Sequence, residues 1–406
     1  MTNNGAASMS IPIPAGYRFG AVHCGLKSDP ELFDLSLIVS DCPAAAAGVF
    51  TPNLVCGAPV QVDRSRLPGE GFRAVAVNSR CANACTGEQG LRDAETMAAL
   101  ASRSVGGEPA QGLVMSTGVI GTMMPMDKVR TGITAAAAKL AATPSAFVDA
   151  ARGMMTTDTF PKYAGKQMQL DNGKEIRIAG MCKGAAMIAP KLATMLAVIM
   201  TDAALTPQDA QMFIRTAADE SFNCITVDGH TSTSDILLLL ANGATQSTPL
   251  TGRDLQRFGE TLQELCTELA VKIPQDGEGV SHFITLDVQG CKDGESARKI
   301  ARKIAEDVLV KTAICGADPN WGRIVSASGT AGVPYNPKNV SLKLNGYELF
   351  RSGEPVPFDK QEVSGNIREN RNTHIVLQFG EGGADVRFWT TDLTQEYVRL
   401  NSDYTT

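Results

Sequence analysis

Histidine is scarce in this chain: there are four in 406 residues, and none stands at helical ligand spacing from another. A catalytic metal site and a Ser-His-Asp triad both depend on histidine, so the sequence favours neither. The ten cysteines are dispersed, without a Cys-x-x-Cys pair or zinc-type spacing. This pattern predicts reduced thiols and no bound metal.

Long apolar runs and strongly basic stretches are also missing. The longest apolar runs are about six residues, near MLAVIM (195–200) and ILLLLA (236–241), whereas a membrane span needs roughly 20. The N-terminal segment lacks the basic start and apolar core of a secretory signal. The formal net charge is -6 with scattered lysine and arginine, which gives no nucleic-acid footprint. We therefore expect a soluble cytoplasmic protein that binds neither nucleic acid nor a membrane.

Strand-like and helix-like segments alternate along the chain, whose length suggests two or three domains or two large layered units. The pattern predicts strands at 72–79 and 112–117, amphipathic helices at 253–272 and 295–310, and a helix that begins at Thr206-Pro207. Two hairpins are expected near the C-terminal end, one at Asn345-Gly346 and one joining HIVLQF to DVRFWT. No GxGxxG or GxxxxGK stretch is present. The mixture indicates a layered α+β fold with largely antiparallel sheets, not a doubly wound dinucleotide-binding fold.

The stretch KGAAMIAPKLATML (183–196) raises the main question about chemistry. Pro190 prevents a regular helix through it, so Thr194 is either an ordinary helix-start or half-buried strand residue, or a nucleophile. A threonine hydroxyl needs a base to take its proton. If the bond before Thr194 is cut, its own α-amino group becomes that base, with an ordinary pKa of about 7.7–8.0. The scarcity of histidine removes the usual competing base without proving this alternative.

Further blocks along the chain carry a family resemblance. They are VNSRCANACTGEQG (77–90), MSTGVIGTMMPM (115–126), MMTTDTFPK (154–162), SFNCITVDGHTSTSD (221–235), DGEG (276–279), VKTAICGADPNWGR (310–323) and YVRLNSDYTT (397–406). Together with 183–196, they resemble, in order, the ornithine acetyltransferase family of arginine biosynthesis, which includes bifunctional glutamate N-acetyltransferases/N-acetylglutamate synthases. The resemblance covers the chain from near residue 70 to residue 406.

The resemblance implies an α/β/β/α-type sandwich that cleaves itself between Ala193 and Thr194. The products are an α chain (1–193) and a β chain (194–406), which stay associated, usually as an α2β2 heterotetramer. It implies an autoproteolytic acyltransferase that moves acetyl from N2-acetyl-L-ornithine to L-glutamate through an acetyl-Thr194 ester. No cofactor is expected, and whether acetyl-CoA is also accepted as an acetyl donor remains open.

The resemblance also assigns site residues. It implies Thr194 as the nucleophile, the Thr117 hydroxyl and the Gly118 N–H as the oxyanion donors, and substrate contacts at Thr157, Lys183, Thr194, Glu278, Asn401 and Thr406. The neighbouring Thr156 and Thr159 leave the assignment of Thr157 ambiguous. The alternative for each residue is structural: a turn glycine, a surface lysine, a solvated loop carboxylate or a frayed terminus.

Some positions depart from the family pattern or have uncertain roles. His230 stands where the family usually has an acidic residue, and Arg80 and Cys81 replace smaller or polar residues. Structural roles are expected for Asn78, Asn83, Asp318, Asn320, Trp321 and Arg323, although these residues also suit framing the site or holding the two chains together. An N-terminal-nucleophile amidase or aminopeptidase, and a non-catalytic relative that stays uncut, are the competing hypotheses.

Overall fold

The computed structural model describes residues 11–189 and 195–403. The strands of the first sheet are β1 (Tyr17–Val22), β2 (Leu35–Phe50), β3 (Gly69–Asn78), β4 (Gly112–Ser116), β5 (Lys162–Gln169), β6 (Glu175–Lys183), β7 (Leu196–Thr201) and β8 (Ile236–Ala241). In the described ranges their order is β4-β3-β2-β8-β7-β6-β5, with β1 paired to β2. The two longest apolar runs of the sequence form β7 and β8. These strands are parallel neighbours near the middle of the sheet and are buried along their whole length, as is usual for strands covered on both faces.

The long strand β2 divides this sheet into two halves. Its first part pairs with β1 and β3, and its second part pairs with β8. The register with β3 shifts between Val39 and Ala44, around the sequence Asp41-Cys42-Pro43. Proline cannot donate a ladder hydrogen bond, so a bulge is the expected response to Pro43. The bulge lets the two half-sheets face each other.

Helices pack against the two half-sheets. They are α1 (Ala58–Arg66), α2 (Gly87–Arg103), α3 (Met126–Ala138), α4 (Pro144–Met154), α5 (Pro207–Asp219) and α6 (Gly252–Gln275). Apolar residues of α2 and α3 pack on β2, β3 and β4, and those of α5 and α6 pack on β6, β7 and β8. A third core cluster, which includes Val75, Leu238 and Phe147 of α4, joins the facing sides of both half-sheets. The layers are thus α/β/β/α, which confirms the expected sandwich.

The C-terminal part adds a second mixed sheet. It consists of β9 (Phe283–Cys291), β10 (Ser341–Leu344), β11 (Tyr347–Arg351), β12 (Glu354–Pro355), β13 (Asn372–Gln378) and β14 (Ala384–Thr391), with α7 (Gly294–Glu306), α8 (Val308–Cys315), α9 (Trp321–Gly329), α10 (Lys360–Glu369) and α11 (Gln395–Asp403). Short 3-10 turns lie at Pro109–Gln111, Phe222–Cys224 and Pro337–Asn339. The strand order is β12-β11-β10-β13-β9-β14. No helix within the described residues has the length and apolar character needed to cross a bilayer.

One predicted hairpin is confirmed and the other is wrong. Asn345 and Gly346 turn the chain between β10 and β11, which pair antiparallel. The strands β13 and β14, by contrast, do not pair with each other, because β9 lies between them and is parallel to β13. The glycine-rich linker after β13 passes over the end of β9, where Glu381 and Gly382 donate their N–H groups to the Gly290 carbonyl oxygen. This linker has the composition of a hairpin turn, but it connects two strands that lie on either side of β9.

Candidate active site

Six of the site residues expected from the sequence line one cavity of about 340 Å³. They come from five separate sequence blocks and are Thr117, Gly118, Thr157, Lys183, Glu278 and Asn401. The other expected site residues, Ala193, Thr194 and Thr406, lie outside the described residues. The chain therefore brings together every expected site residue for which the structure gives a position.

The turn after β4 supplies Thr117 and Gly118. Gly118 has φ +131°, and an added Cβ would lie 2.1 Å from the carbonyl carbon of Arg80, so only glycine fits. Backbone hydrogen bonds fix this turn against the end of β3 and the residues that follow it: Thr117 N–H donates to Asn78 O, and Val119 N–H donates to Arg80 O, both at 3.1 Å. Across residues 11–189 and 195–403, the Gly118 N–H donates to no oxygen. The cavity wall thus has a backbone donor that no described residue accepts.

Lys183, the last residue of β6, is buried in the cavity wall beside Thr117. Its side chain places Nζ 3.4 Å from Thr117 Oγ1, and the residue is 3% exposed. Burial lowers the pKa of Lys183, while the nearby Asp158 carboxylate opposes that shift. The interpretation of Lys183 as a surface lysine is therefore wrong.

The TTDT block divides its threonines between two environments. Thr156 and Thr157 line the cavity. The Thr159 hydroxyl and N–H instead donate to the carboxylate of Asp276, so this side chain is engaged elsewhere. Between them, Asp158 accepts hydrogen bonds from Lys162 and from Gly184 N–H. Burial alone raises the pKa of Asp158, but attraction from Lys162 and Lys183 outweighs it and sets the pKa at about 2.

Glu278 and Asn401 are 123 positions apart in sequence, and a hydrogen bond joins their side chains at the cavity. Glu278 Oε2 accepts a hydrogen bond from Asn401 Nδ2 at 3.0 Å, and Glu278 N–H donates to Ala185 O at 3.0 Å. Asn401 belongs to α11, which is joined to the same loop by a hydrogen bond from Thr394 Oγ1 to Gly279 O. The C-terminal helix therefore forms part of the cavity wall, as the implied pocket role requires.

Two polar residues of the cavity, Asp228 and Tyr397, were not singled out by the sequence. Asp228 accepts the N–H groups of Met187 and Ile188 at 2.6 and 3.0 Å, and the Tyr397 hydroxyl at 3.1 Å. Burial, reinforced by Asp228, raises the pKa of Tyr397 well above its ordinary value. Both residues stand inside blocks that carry the resemblance, but their spacing of 169 residues gives no local signal that they meet.

Two further positions adjoin this region. His230, the departure from the family pattern, lines the cavity and is exposed. Met195, which follows Thr194 in the chain, donates its N–H to Asp235 Oδ1 at 3.0 Å. Asp235 is fully buried immediately before β8. A carboxylate is thus fixed beside the first described residue after Thr194.

The residues whose roles the sequence left uncertain have structural contacts. Asn78 and Asn83 donate to nearby backbone oxygens, those of Cys81 and Gly90 respectively. Asn320 accepts the N–H of Arg323 at the start of α9, Trp321 stacks on Phe350 at 4.9 Å, and Lys360 pairs with Asp318. The contacts in this last group all lie after residue 194, so they support a structural role within the C-terminal layer and not a link between the two expected chains.

The cavity combines groups suited to a small zwitterionic substrate with an acyl group. A free backbone N–H can stabilise a developing oxyanion, a buried ammonium can meet a carboxylate, and Glu278 can meet an ammonium. Among the residues described, no group of three histidine, cysteine, aspartate or glutamate side chains is arranged to hold a metal ion.

A family model and known relatives match almost the whole chain. The ArgJ family model matches residues 18–406. The arginine biosynthesis bifunctional protein ArgJ of Rhodopirellula baltica is 43% identical over 402 residues, covering 97% of this chain and 96% of that protein. The solved ArgJ structure from Bacillus halodurans aligns at 35% identity and a TM-score of 0.48, over 50% of this chain and 96% of that one. Ornithine acetyltransferase from Mycobacterium tuberculosis, solved with ornithine, aligns at 34% identity and a TM-score of 0.42, over 46% and 96%.

Proposed function

Since the chain belongs to the ArgJ family, we propose that it is an acyltransferase of arginine biosynthesis that moves acetyl from N2-acetyl-L-ornithine to L-glutamate. The observation that carries this proposal is the convergence of residues from five sequence blocks on one cavity. That cavity presents an oxyanion donor, a buried ammonium and a carboxylate, which are the groups that an acylated amino acid requires.

The nucleophile of the proposed reaction is Thr194. Its hydroxyl first attacks the carbonyl carbon of Ala193, the acyl group shifts from nitrogen to oxygen, and water hydrolyses the ester. This cut yields the chains 1–193 and 194–406 and frees the α-amine of Thr194. That amine then accepts the hydroxyl proton when the threonine attacks a substrate, because its ordinary pKa of about 7.7–8.0 is close to working pH.

Acetyl transfer then proceeds in two halves. Thr194 Oγ attacks the acetyl carbonyl of acetylornithine, the amide C–N bond breaks, and the proton passes to the departing nitrogen of ornithine. The amine of glutamate attacks the acetyl-Thr194 ester, the C–O bond breaks, and the threonine oxygen regains its proton. Both substrates visit one cavity in turn, so the kinetics are ping-pong.

The six expected site residues that line the cavity each have a role in this scheme. The Gly118 N–H and the Thr117 hydroxyl stabilise the oxyanion of each tetrahedral intermediate, and the Lys183 ammonium, 3.4 Å from Thr117 Oγ1, binds the substrate carboxylate. Glu278, held by Asn401, meets the side-chain ammonium of ornithine. Thr157 is the proposed threonine contact of the TTDT block, and Thr406 completes the set from the C-terminal end.

The bifunctional name of the relatives favours a second activity, the acetylation of glutamate from acetyl-CoA. In this proposal acetyl-CoA acylates the same Thr194, and neither donor needs a bound cofactor. The two chains remain associated as α2β2 in the cytoplasm. An assay with glutamate and acetyl-CoA, without acetylornithine, measures this second activity directly.

The test of the proposal follows ornithine release from acetylornithine with and without glutamate, alongside denaturing electrophoresis. The wild-type chain is expected to give two bands of about half length and glutamate-dependent release. Thr194→Ala is expected to stay at 42.9 kDa and to be inactive, because neither hydroxyl nor free amine is present. Thr194→Ser, which keeps both groups, is the matched control and is expected to be cut and to retain activity.

Two results would contradict the proposal. Full activity of an uncut Thr194→Ala protein would refute the proposed mechanism. Release of ornithine at the same rate with and without glutamate shows that water takes the acetyl group, as in an amidase.

A further inference from the structure

Lys162, the first residue of β5, is a buried cation held between two carboxylates. Its Nζ lies 2.6 Å from Asp158 Oδ1 and 2.5 Å from Asp276 Oδ2. The side chains of Lys162 and Asp158 are 0% exposed, and that of Asp276 is 3% exposed. The ring of Phe160 covers the ammonium, with its centroid 4.9 Å from Nζ. Charges buried this deeply persist in folded proteins only when they are paired.

The two carboxylates reach three separate parts of the cavity wall. Asp158 adjoins Thr157 in sequence, and its Oδ1 accepts the N–H of Gly184, the residue after Lys183, at 2.7 Å. Asp276 accepts the N–H of Thr159 at 2.9 Å and stands two positions before Glu278. Thr157, Lys183 and Glu278 therefore each stand, in sequence, no more than two positions from a residue that belongs to this cluster or is hydrogen-bonded to it.

The cluster is also balanced in charge. Lys183 is attracted by Asp158, so the buried groups comprise the two carboxylates and the two ammonium groups of Lys162 and Lys183. Burial alone lowers the pKa of Lys162, but Asp158 and Asp276 outweigh it and raise the pKa above the ordinary value. The ammonium of Lys162 consequently stays charged, and the bridge between the carboxylates stays intact, across the working pH range.

We propose that Lys162 is a positioning residue for acetyl transfer: by bridging Asp158 and Asp276 it holds Thr157, Lys183 and Glu278 in a single binding arrangement. This inference rests on the proposed function, which names those three side chains as substrate contacts. Lys162 does not line the cavity, so its effect passes through the segments that it joins. Its loss loosens substrate binding while leaving the oxyanion donor Gly118 in place.

The test replaces Lys162 by methionine, which keeps a similar length without the charge. Lys162→Met is expected to raise the KM for acetylornithine and the Kd for ornithine at least about tenfold, with less than about a threefold change in kcat, because binding contacts shared by ground state and transition state act on KM. The matched control is Lys272→Met. Lys272 ties α6 to β5 by donating to Tyr163 O at 2.5 Å and pairs with Glu268 of its own helix. Neither partner lines the cavity, so this variant is expected to keep the wild-type KM.

A second variant separates positioning from simple charge balance. Lys162→Met leaves two carboxylates against one ammonium, and adding Asp276→Asn restores neutrality without restoring the bridge. The double variant is expected to recover thermal stability but not KM or Kd. Recovery of KM together with stability overturns the inference, as does a KM in Lys162→Met no higher than in Lys272→Met. Calorimetric binding of ornithine reports on the positioning role without turnover, whereas glutamate-dependent ornithine release in the wild type reports on the proposed function.

Discussion

Replacing Gly118 by alanine tests the oxyanion site through geometry alone. The backbone of Gly118 has φ +131°, a conformation that residues with a Cβ rarely adopt. The new methyl group would meet three backbone atoms of Arg80, the carbonyl carbon at 2.1 Å and the Cα and oxygen at 2.5 Å. Backbone atoms cannot turn away as a flexible side chain can. The turn after β4 must therefore move, and the Gly118 N–H moves with it.

Gly118→Ala is expected to affect both catalysis and folding stability. Displacing one oxyanion donor costs about 10²–10³ in kcat, or roughly 3–4 kcal/mol of transition-state stabilisation. Forcing a residue with a side chain into this backbone region costs about 1–3 kcal/mol of folding stability. Gly118→Ala is therefore expected to lower kcat for acetyl transfer at least about 100-fold, with a smaller change in KM for acetylornithine, since Lys183 and Glu278 are untouched.

A glycine three residues further on provides the matched control. Gly121 also has a positive φ, of +82°, but a Cβ there meets nothing within 4 Å, and the Gly121 N–H donates to Ala84 O. Gly121→Ala therefore carries backbone strain without the clash and is expected to keep kcat near the wild-type value. Steady-state kinetics on the cleaved proteins, with unfolding curves in parallel, distinguish the two variants. A kcat for Gly118→Ala within about tenfold of that for Gly121→Ala would refute the oxyanion assignment.

Two further predictions concern the carboxylates around the cavity. Asp158 has a pKa of about 2 in place of its ordinary 3.8, so its pairing stabilises the fold by about 2 kcal/mol above pH 4, and that contribution is lost as pH falls through 2. The difference in unfolding free energy between the wild type and Asp158→Asn, measured in urea at pH 2–5, is expected to shrink towards pH 2; a constant difference contradicts the ion-pair account. Asp228→Asn replaces one carboxylate oxygen by an amide NH₂, which then faces the N–H of Met187 or of Ile188, so at least one hydrogen bond worth about 1.5–3 kcal/mol is lost. Because Met187 and Ile188 belong to the segment that precedes the proposed cut, this variant is expected to slow self-cleavage. Tyr397→Phe removes one of these bonds and is expected to slow it less; equal cleavage rates on timed electrophoresis gels exclude this role for Asp228.

Local sequence signals predicted the fold well where the structure is determined locally. Thr206 caps α5 by accepting the N–H of Asp209, and Asn345-Gly346 forms the expected hairpin. The failed hairpin between β13 and β14 shows the limit of such signals. Both strands have the correct alternation and a glycine-rich linker, but β9, whose residues stand 89 positions before their partners in β13, inserts between them. Alternation specifies that a segment is a strand, not which strand is its neighbour.

In the candidate site, too, local sequence signals predicted some residues, whereas contacts between distant parts of the chain were not predicted. Blocks that resemble a family located the six described cavity residues, because each block is contiguous in sequence. The buried bridge from Lys162 to Asp276 and the contact between Asp228 and Tyr397 join residues 114 and 169 positions apart. Nothing in composition or periodicity marks such pairs, since a lysine at the start of a strand is ordinarily solvated. These contacts depend on the three-dimensional arrangement of the chain.

The position of the proposed cut also has a physical explanation in this fold. The strands β6 and β7 are antiparallel neighbours, from Ile178 opposite Thr201 to Lys183 opposite Leu196, yet the connection between them runs from 184 to 195. Antiparallel neighbours need only about 2–5 residues in their loop, and longer connections usually carry function. A cut before Thr194 removes one covalent bond but leaves β6 paired with β7 and β2 paired with β8. Because these ladders and the ion pair from Lys162 to Asp276 all join residues on opposite sides of the cut, they hold the two chains together once the bond before Thr194 is broken.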